Sequence, residues 1–287
     1  MKRIVLFILT NILVVMTISL LLNLLGVRPY MTANGIDMGQ LAIFCLVWGM
    51  GGSLISLAMS RMSAKWMMSV KVIPRTSSEY AWVVLMVEHL AQKAGLPKMP
   101  EVGIYESPEV NAFATGPSKR RSLVAFSTGL LSSMNKNEIE GVAAHEIAHI
   151  ANGDMVTMTL LQGVVNAFVM FFARIIGYVV SQNVREENRH TVQMLVTFVL
   201  DMALGILGMI VVCAFSRHRE FRADRGGAQY AGKQDMIGAL QRLASNTRRY
   251  DEQPALAALK ISGGVGKLFA THPPLEERIA ALQNAAV

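Results

Sequence analysis

Four long apolar runs dominate the hydropathy pattern, placed two and two along the chain. The first, Ile4–Gly26, and the second, Met38–Ser60, contain no charged residue. Each exceeds the roughly 20 residues that cross about 30 Å of hydrocarbon in a helix, so both are predicted to span a bilayer. The first is too long for the apolar core of a signal peptide, and the "VRPYM" that follows offers no small-residue cleavage site. The third, Met158–Ser181, contains Arg174, and the fourth, Gln193–Ser216, contains Asp201. A charge near mid-span is costly, but an antiparallel hairpin would set these two at similar depth, where they can pair. A buried or interfacial hairpin is the alternative for this second pair of runs.

Between and after the hairpins the pattern turns polar and mixed. "SSEYAWVVLMVEHLAQKAG" has helical periodicity, with Ser77 or Ser78 as its cap and Gly95 as its stop. "LPKMPEVGIY" reads as a turn entering a strand and "SLVAFSTG" as a second strand. "NKNEIEGVAAHEIAHIANG" predicts another helix, with Asn137 and Glu140 as a capping box and Gly153 as its end. The expected fold is a mainly α membrane protein with a small β-sheet. It has a transmembrane hairpin over 1–60, the first part of a cytoplasmic catalytic domain over 61–157, a second hydrophobic hairpin over 158–216, and the second catalytic part over 217–287.

Composition agrees with the membrane reading. The chain is 52% hydrophobic and only 16% charged, too few charges to keep a soluble globule of this size in solution. Its net charge of +7 is gathered at the ends of apolar runs and is not interleaved with aromatics, which argues against a nucleic-acid partner. Lys2 and Arg3 precede the first run, and Arg61, Lys65, Lys71 and Arg75 follow the second. The positive-inside rule then puts the N-terminus and the polar segments in the cytoplasm. Both cysteines, Cys45 and Cys213, fall inside apolar runs, so neither a disulfide framework nor a cysteine metal site is indicated.

The candidate chemistry lies in "HEIAH". On a helix, His145 and His149 share one face, with β-carbons about 5–6 Å apart, and can point at one ion. Glu146 is turned roughly 100° from His145, beside the ion and not on it. From there it can take a proton from a zinc-bound water. The helix around them is apolar and small, and burying two histidines and a glutamate requires partners that a metal supplies. A catalytic zinc needs a third protein ligand. Asn152 and Met155 stand where the metzincin pattern would have glycine and histidine, so that ligand comes from elsewhere. In "SRHREFRADRGG", Glu220 as ligand and Asp224 as partner of a ligand histidine fit an i,i+4 pair. A surface ion-pair set with Arg217, Arg219, Arg222 and Arg225 is the plainer alternative, and His218 is a rival ligand. Since both later runs lie between His149 and Glu220, the two can share an ion only across an even number of spans. Two satisfies this.

"HEIAH", "EFRAD", "VNAFATG" and "THPPLEERI" together resemble the HtpX family of bacterial membrane-bound zinc metalloproteases, relatives of the CAAX prenyl proteases. The likeness covers nearly the whole chain. It implies a gluzincin-like peptidase holding one Zn²⁺ per subunit through His145, His149 and Glu220, with Glu146 as the base and Asp224 orienting a histidine. It further implies that Asn111 holds substrate backbone and that His272 and Arg278 stabilise the oxyanion or line the cleft. Read from the residues alone, Asn111 is equally a turn residue and His272 part of a loop leading into a helix. A donor to the oxyanion is needed in either case. The "SLVAFSTG" strand is expected to offer an edge to an extended substrate.

The implied activity is zinc-dependent cleavage of misfolded or damaged membrane proteins at the cytoplasmic side of the inner membrane, as part of stress response, with self-cleavage a family trait. Action on lipidated or prenylated termini is the alternative. A membrane protein with a purely structural metal would call for four closed ligands, usually including cysteine.

Overall fold

The computed structural model describes residues 2–32, 35–76, 79–251 and 268–285. The chain divides into two compact units, Met1–Ser56 with Met158–Val212, and Leu57–Thr157 with Cys213–Val287.

The first unit is built from helices of the four apolar runs. α1 spans Lys2–Leu24, a short hairpin pairs β1 (Met31–Thr32) with β2 (Gly35–Ile36), and α2 covers Met38–Met67. α6 (Asp154–Ser181) and α7 (Arg189–Ala231) follow the third and fourth runs. α2, α6 and the segment Glu186–Ala231 are each long and apolar enough to cross a membrane. Their large side chains stay exposed, among them Leu46, Phe168, Phe198 and Met202, as suits contact with acyl chains. Helix approach is governed by small residues: a β-carbon at Gly49 would lie 2.6 Å from the Ala167 nitrogen and 2.7 Å from the Gly163 carbonyl. The two charges carried by these apolar helices do face one another, with Arg174 Nη1 3.9 Å from Asp201 Oδ1. Arg174 also donates to the Met170 carbonyl at 3.1 Å and lies over the Phe44 ring.

The second unit surrounds a four-stranded sheet in the order β3-β4-β6-β5. β3 (Lys71–Val72) and β5 (Ala112–Ser118) run antiparallel to their neighbours, whereas β4 (Glu101–Tyr105) and β6 (Arg121–Ser127) pair in parallel. The expectation that "SLVAFSTG" forms an edge is therefore corrected. β6 spends its backbone groups on β4 and β5 on either side, and Leu123 to Phe126 are fully buried. β5 is the edge. Its glycine and proline and its half-buried pattern suit that position better than the solid apolar run of β6.

α3 (Ala81–Lys93) packs Val83, Val87 and Leu90 into the core. Ser77 and Ser78, the expected caps, are outside the described residues, and the helix follows Tyr80. Gly95 stops it as expected, at φ 64°. After α4 (Thr128–Ser133), α5 (Lys136–Asn152) starts one motif earlier than predicted. The capping box is Asn135 with Glu138, not Asn137 with Glu140. Both pairs have the same spacing, and the phase is decided by the buried face of Ile139, Val142 and Ala143. Gly153 ends α5 in the left-handed conformation, φ 72°.

The segment "REFRAD" is not a separate helix but the continuation of α7, which is 43 residues long. Gly226 and Gly227 let α7 lie against α5. A β-carbon on Gly227 would come 3.2 Å from the His145 nitrogen, and one on Gly226 2.9 Å from the Ala148 β-carbon. α8 (Lys233–Asp251) covers α5 at Gly141, and α9 (Leu275–Gln283) packs Leu282 against Met236 and Leu240.

Candidate metal centre

α5 presents His145 and His149 on one buried face, and α7 brings Glu220, fully buried, against them. His145 Nε2 lies 3.1 Å from His149 Nε2. Glu220 closes the triangle, with Oε2 3.4 Å from His145 Nε2 and Oε1 3.3 Å from His149 Nε2. A tetrahedral ion with bonds of about 2.0–2.1 Å holds its ligand atoms roughly 3.3–3.4 Å apart. The two imidazole nitrogens and the Glu220 carboxylate thus lie close enough together to hold one ion.

The hydrogen bonds around the triangle prepare the same donor set. His149 Nδ1 is 2.7 Å from Asp154 Oδ2, and His145 Nδ1 is 2.9 Å from Asp224 Oδ1. Each carboxylate fixes the proton on Nδ1, so each Nε2 turns a lone pair inward. Two lone pairs 3.1 Å apart beside a carboxylate repel unless a cation or proton sits among them. Glu220 Oε1 is buried, with His149 Nε2 at 3.3 Å and Arg219 Nη2 at 3.6 Å beside it. Geometry and donor chemistry both fit a divalent ion of the zinc kind.

Charge shifts follow from this crowding. Burial alone would lower His149, but the hydrogen bonds with Asp154 and Glu220 outweigh it and raise the ring to about 9. For Glu220, burial works upward and is overcome by His145, His149 and His272, so the carboxyl ends far below its ordinary value. Asp224 is likewise held low, against burial, by Arg278 and His145. Arg278 is raised despite its burial, chiefly by Asp224.

Glu146 is half-buried on the adjoining face of α5 and makes no hydrogen bond or ion pair among the described residues, which leaves its carboxylate available. His272 places Nδ1 2.7 Å from Glu220 Oε2 while its side chain stays 58% exposed. Arg278 is buried beneath the triangle of His145, His149 and Glu220. It grips Asp224 through Nε to Oδ2 at 2.8 Å and Nη2 to Oδ1 at 2.6 Å, with Nη1 3.5 Å from Glu220 Oε2. Asn111 is exposed at the start of the edge strand, joined to Ser127 by its backbone, with its carbonyl accepting from Ser127 N at 2.9 Å. His218 is exposed and apart from the cluster. The surface ion-pair alternative for Glu220 fails because the residue is fully buried.

Sequence reasoning missed Asp154 and Arg222. Asp154 is 1% exposed, and Arg222 Nη2 donates to its Oδ1. The available signal was an acid directly after a helix-stopping glycine, five residues beyond a ligand histidine. Nothing local marks Arg222 among its basic neighbours.

The model of peptidase family M48 matches residues 77–286. The chain belongs to peptidase family M48. Within it, "Protease HtpX homolog" of Thiobacillus denitrificans is 55% identical over 291 residues, covering 99% of both chains. A protein of the same description from Bacillus subtilis is 54% identical, over 98% of this chain and 99% of its own. The resemblance read from the motifs is thus a family membership, and this M48 member is a protease. The crystal structure of S. mikatae Ste24p shares its fold, with a TM-score of 0.63 at 17% identity. The alignment covers 84% of this chain and 58% of the Ste24p chain.

Proposed function

We infer that the protein is a membrane-anchored, zinc-dependent endopeptidase whose active centre is the triangle of His145, His149 and Glu220. The observation that carries this is the 3.1–3.4 Å spacing among the two imidazole nitrogens and the two oxygens of the buried Glu220 carboxylate, each histidine backed by its own carboxylate. A bound zinc would supply Lewis acidity, lowering the pKa of water towards 7 and polarising the scissile carbonyl.

The chain's own residues do the rest. Glu146, unpaired and beside the ligands, takes the proton from the attacking water and returns it to the leaving nitrogen. His272 donates from Nδ1 to Glu220, and in its imidazolium form it has a second N–H, on Nε2, that can donate to the oxyanion as it forms. Arg278 locks Asp224 and hence the His145 ring. Asn111 stands at the head of β5, the strand edge to which extended substrate backbone adds.

Substrates are misfolded or damaged membrane proteins, cleaved on the cytoplasmic side of the inner membrane. Lys2 and Arg3 at the start of α1, Arg61 and Lys65 in the last turns of α2, and Lys71 and Arg75 beyond it support that side. Self-cleavage belongs to the same reading.

The test is proteolysis of casein by full-length protein in detergent, with zinc and with chelator. Glu146→Gln should keep its metal and lose roughly 10²- to 10⁴-fold in rate. Cleavage that survives chelation, or loss of metal from this variant, would sink the assignment. Preference for a prenylated peptide over casein would move the substrate class to lipidated termini.

A further inference from the structure

From the contact of Gly49 with Gly163 and Ala167, the pair α2 and α6 opens in two places of unlike chemistry. One opening, of about 340 Å³, is walled by Ala42, Ile43, Leu46, Phe168 and Phe171, which suit lipid tails. The other, of about 460 Å³, brings Ser53 and Ser56 of α2 together with Thr159, Gln162 and Asn166 of α6. A further cavity shares Trp48, Gln162 and Asn166 with it and reaches Asp201 on α7.

Gln162, Asn166 and Trp48 keep hydrogen-bonding groups that no described residue satisfies. Gln162 Nε2 donates to Asn166 Oδ1 at 2.8 Å, which leaves the Gln162 acceptor and the Asn166 donors unspent. The Trp48 indole N–H is buried without a hydrogen-bond partner among the described residues. Hydrocarbon offers no partner either, and polar side chains within spans are costly enough that they mark function. Helix packing does not explain them, because Gly49, Gly163 and Ala167 make the close approach.

We propose that this cleft is a recognition site for a transmembrane segment of a protein substrate, one that carries exposed hydroxyl, amide or small residues. Nothing lies within 4 Å of where a β-carbon on Gly52 would be, so a second helix can approach the α2 backbone there. The wall offers it donors from Asn166 and acceptors from Gln162 and the serines. An assembled membrane helix spends its polar side chains on its neighbours, whereas an orphaned one presents them to lipid. The cleft therefore selects unassembled segments. It occupies the end of the helix pair from which the chain continues, at Leu57 and Thr157, into the peptidase unit. The proposal rests on the membrane-peptidase reading only for what happens after capture.

The test uses full-length, zinc-loaded protein in liposomes and two single-pass substrates with one shared cleavage sequence. One carries a Ser/Asn/Gly cluster in its transmembrane segment, and the other is all leucine there. The unmodified protein should favour the first through KM. The double variant Gln162→Leu, Asn166→Leu should reduce the ratio of the two kcat/KM values roughly three- to tenfold, the worth of one or two hydrogen bonds between membrane helices. No preference in the unmodified protein, or an unchanged ratio in the variant, overturns the proposal.

A cleavage-independent measurement uses Glu146→Gln protein with a photo-reactive phenylalanine analogue replacing Ser56. Preferential crosslinking of the polar segment supports the site; equal capture of both segments, or of lipid alone, overturns it. Preferential crosslinking without any cleavage by unmodified protein would instead refute the peptidase reading and leave the cleft standing.

Discussion

Asp154 holds His149 from just beyond the end of the same helix, Oδ2 to Nδ1 at 2.7 Å. The turn at Gly153 makes this possible: its left-handed backbone folds the chain so that the first carboxylate of α6 comes back to the last turn of α5. Arg222 holds Asp154 as Arg278 holds Asp224, so each histidine of the triangle is backed by a carboxylate and then by an arginine. Asp154→Asn removes the charge at little change of shape. It should weaken zinc binding roughly 10- to 100-fold in chelator competition, with Arg222→Ala having a smaller effect in the same direction. Zinc affinity equal to that of the unmodified protein would mean the Asp154 carboxylate does not tune the ligand.

Glu220 and His218 separate the two candidates for a third ligand. Glu220→Ala removes a fully buried carboxylate from the triangle and should abolish stoichiometric zinc in the purified protein. His218→Ala, at an exposed position, should leave it intact. Full metal content in the Glu220 variant would refute the assignment.

Proton and metal compete for His149. Its ordinary value of 6.5 is raised to about 9 by Asp154 and Glu220 against burial, so the stabilisation from its charged form is complete below about 6.5 and is lost as pH rises through 9. A metal must displace that proton. Apparent zinc affinity should therefore climb by about tenfold per pH unit between pH 7 and 9 and then level off. An affinity independent of pH across that interval would show that the ring is already neutral. Glu220 contributes with the opposite sign: its lowered value means stability present above about 4.5 and lost only in strong acid.

Arg174 and Asp201, 3.9 Å apart, should be energetically coupled. Each single alanine variant should lower the thermal stability of the protein in detergent, and the double variant should lose less than the sum, with a coupling of about 0.5–2 kcal/mol. Strict additivity would show that the two charges are solvated separately.

The side of the membrane is open to a reporter. With the catalytic residues cytoplasmic, a periplasm-dependent enzyme fused after Val287 should be silent, and one inserted near Asn188 should be active. A silent fusion at Asn188 would mean that α6 and α7 do not both cross.

The sequence alone determined the features whose signals are local. Long apolar runs, the first two of them uncharged, marked α1, α2, α6 and α7, because lipid demands apolar length. The helical phase of "HEIAH" put two imidazoles on one face, because a helix repeats every 3.6 residues. Gly95 and Gly153 announced helix ends through the freedom of their backbones. Other features needed the tertiary structure. The capping box could be read at Asn135 or Asn137, and only core burial chose between them. "SLVAFSTG" reads as a strand, but its place in the middle of the sheet depends on partners about 20 residues earlier and just upstream. The convergence of Asp154, Arg222, Asp224 and Arg278 on the two histidines depends on Gly226 and Gly227 admitting α7 to the surface of α5, and on α9 delivering a guanidinium from the far end of the chain. Charge at such a centre is set by contacts between residues distant in sequence, and no local periodicity encodes those contacts.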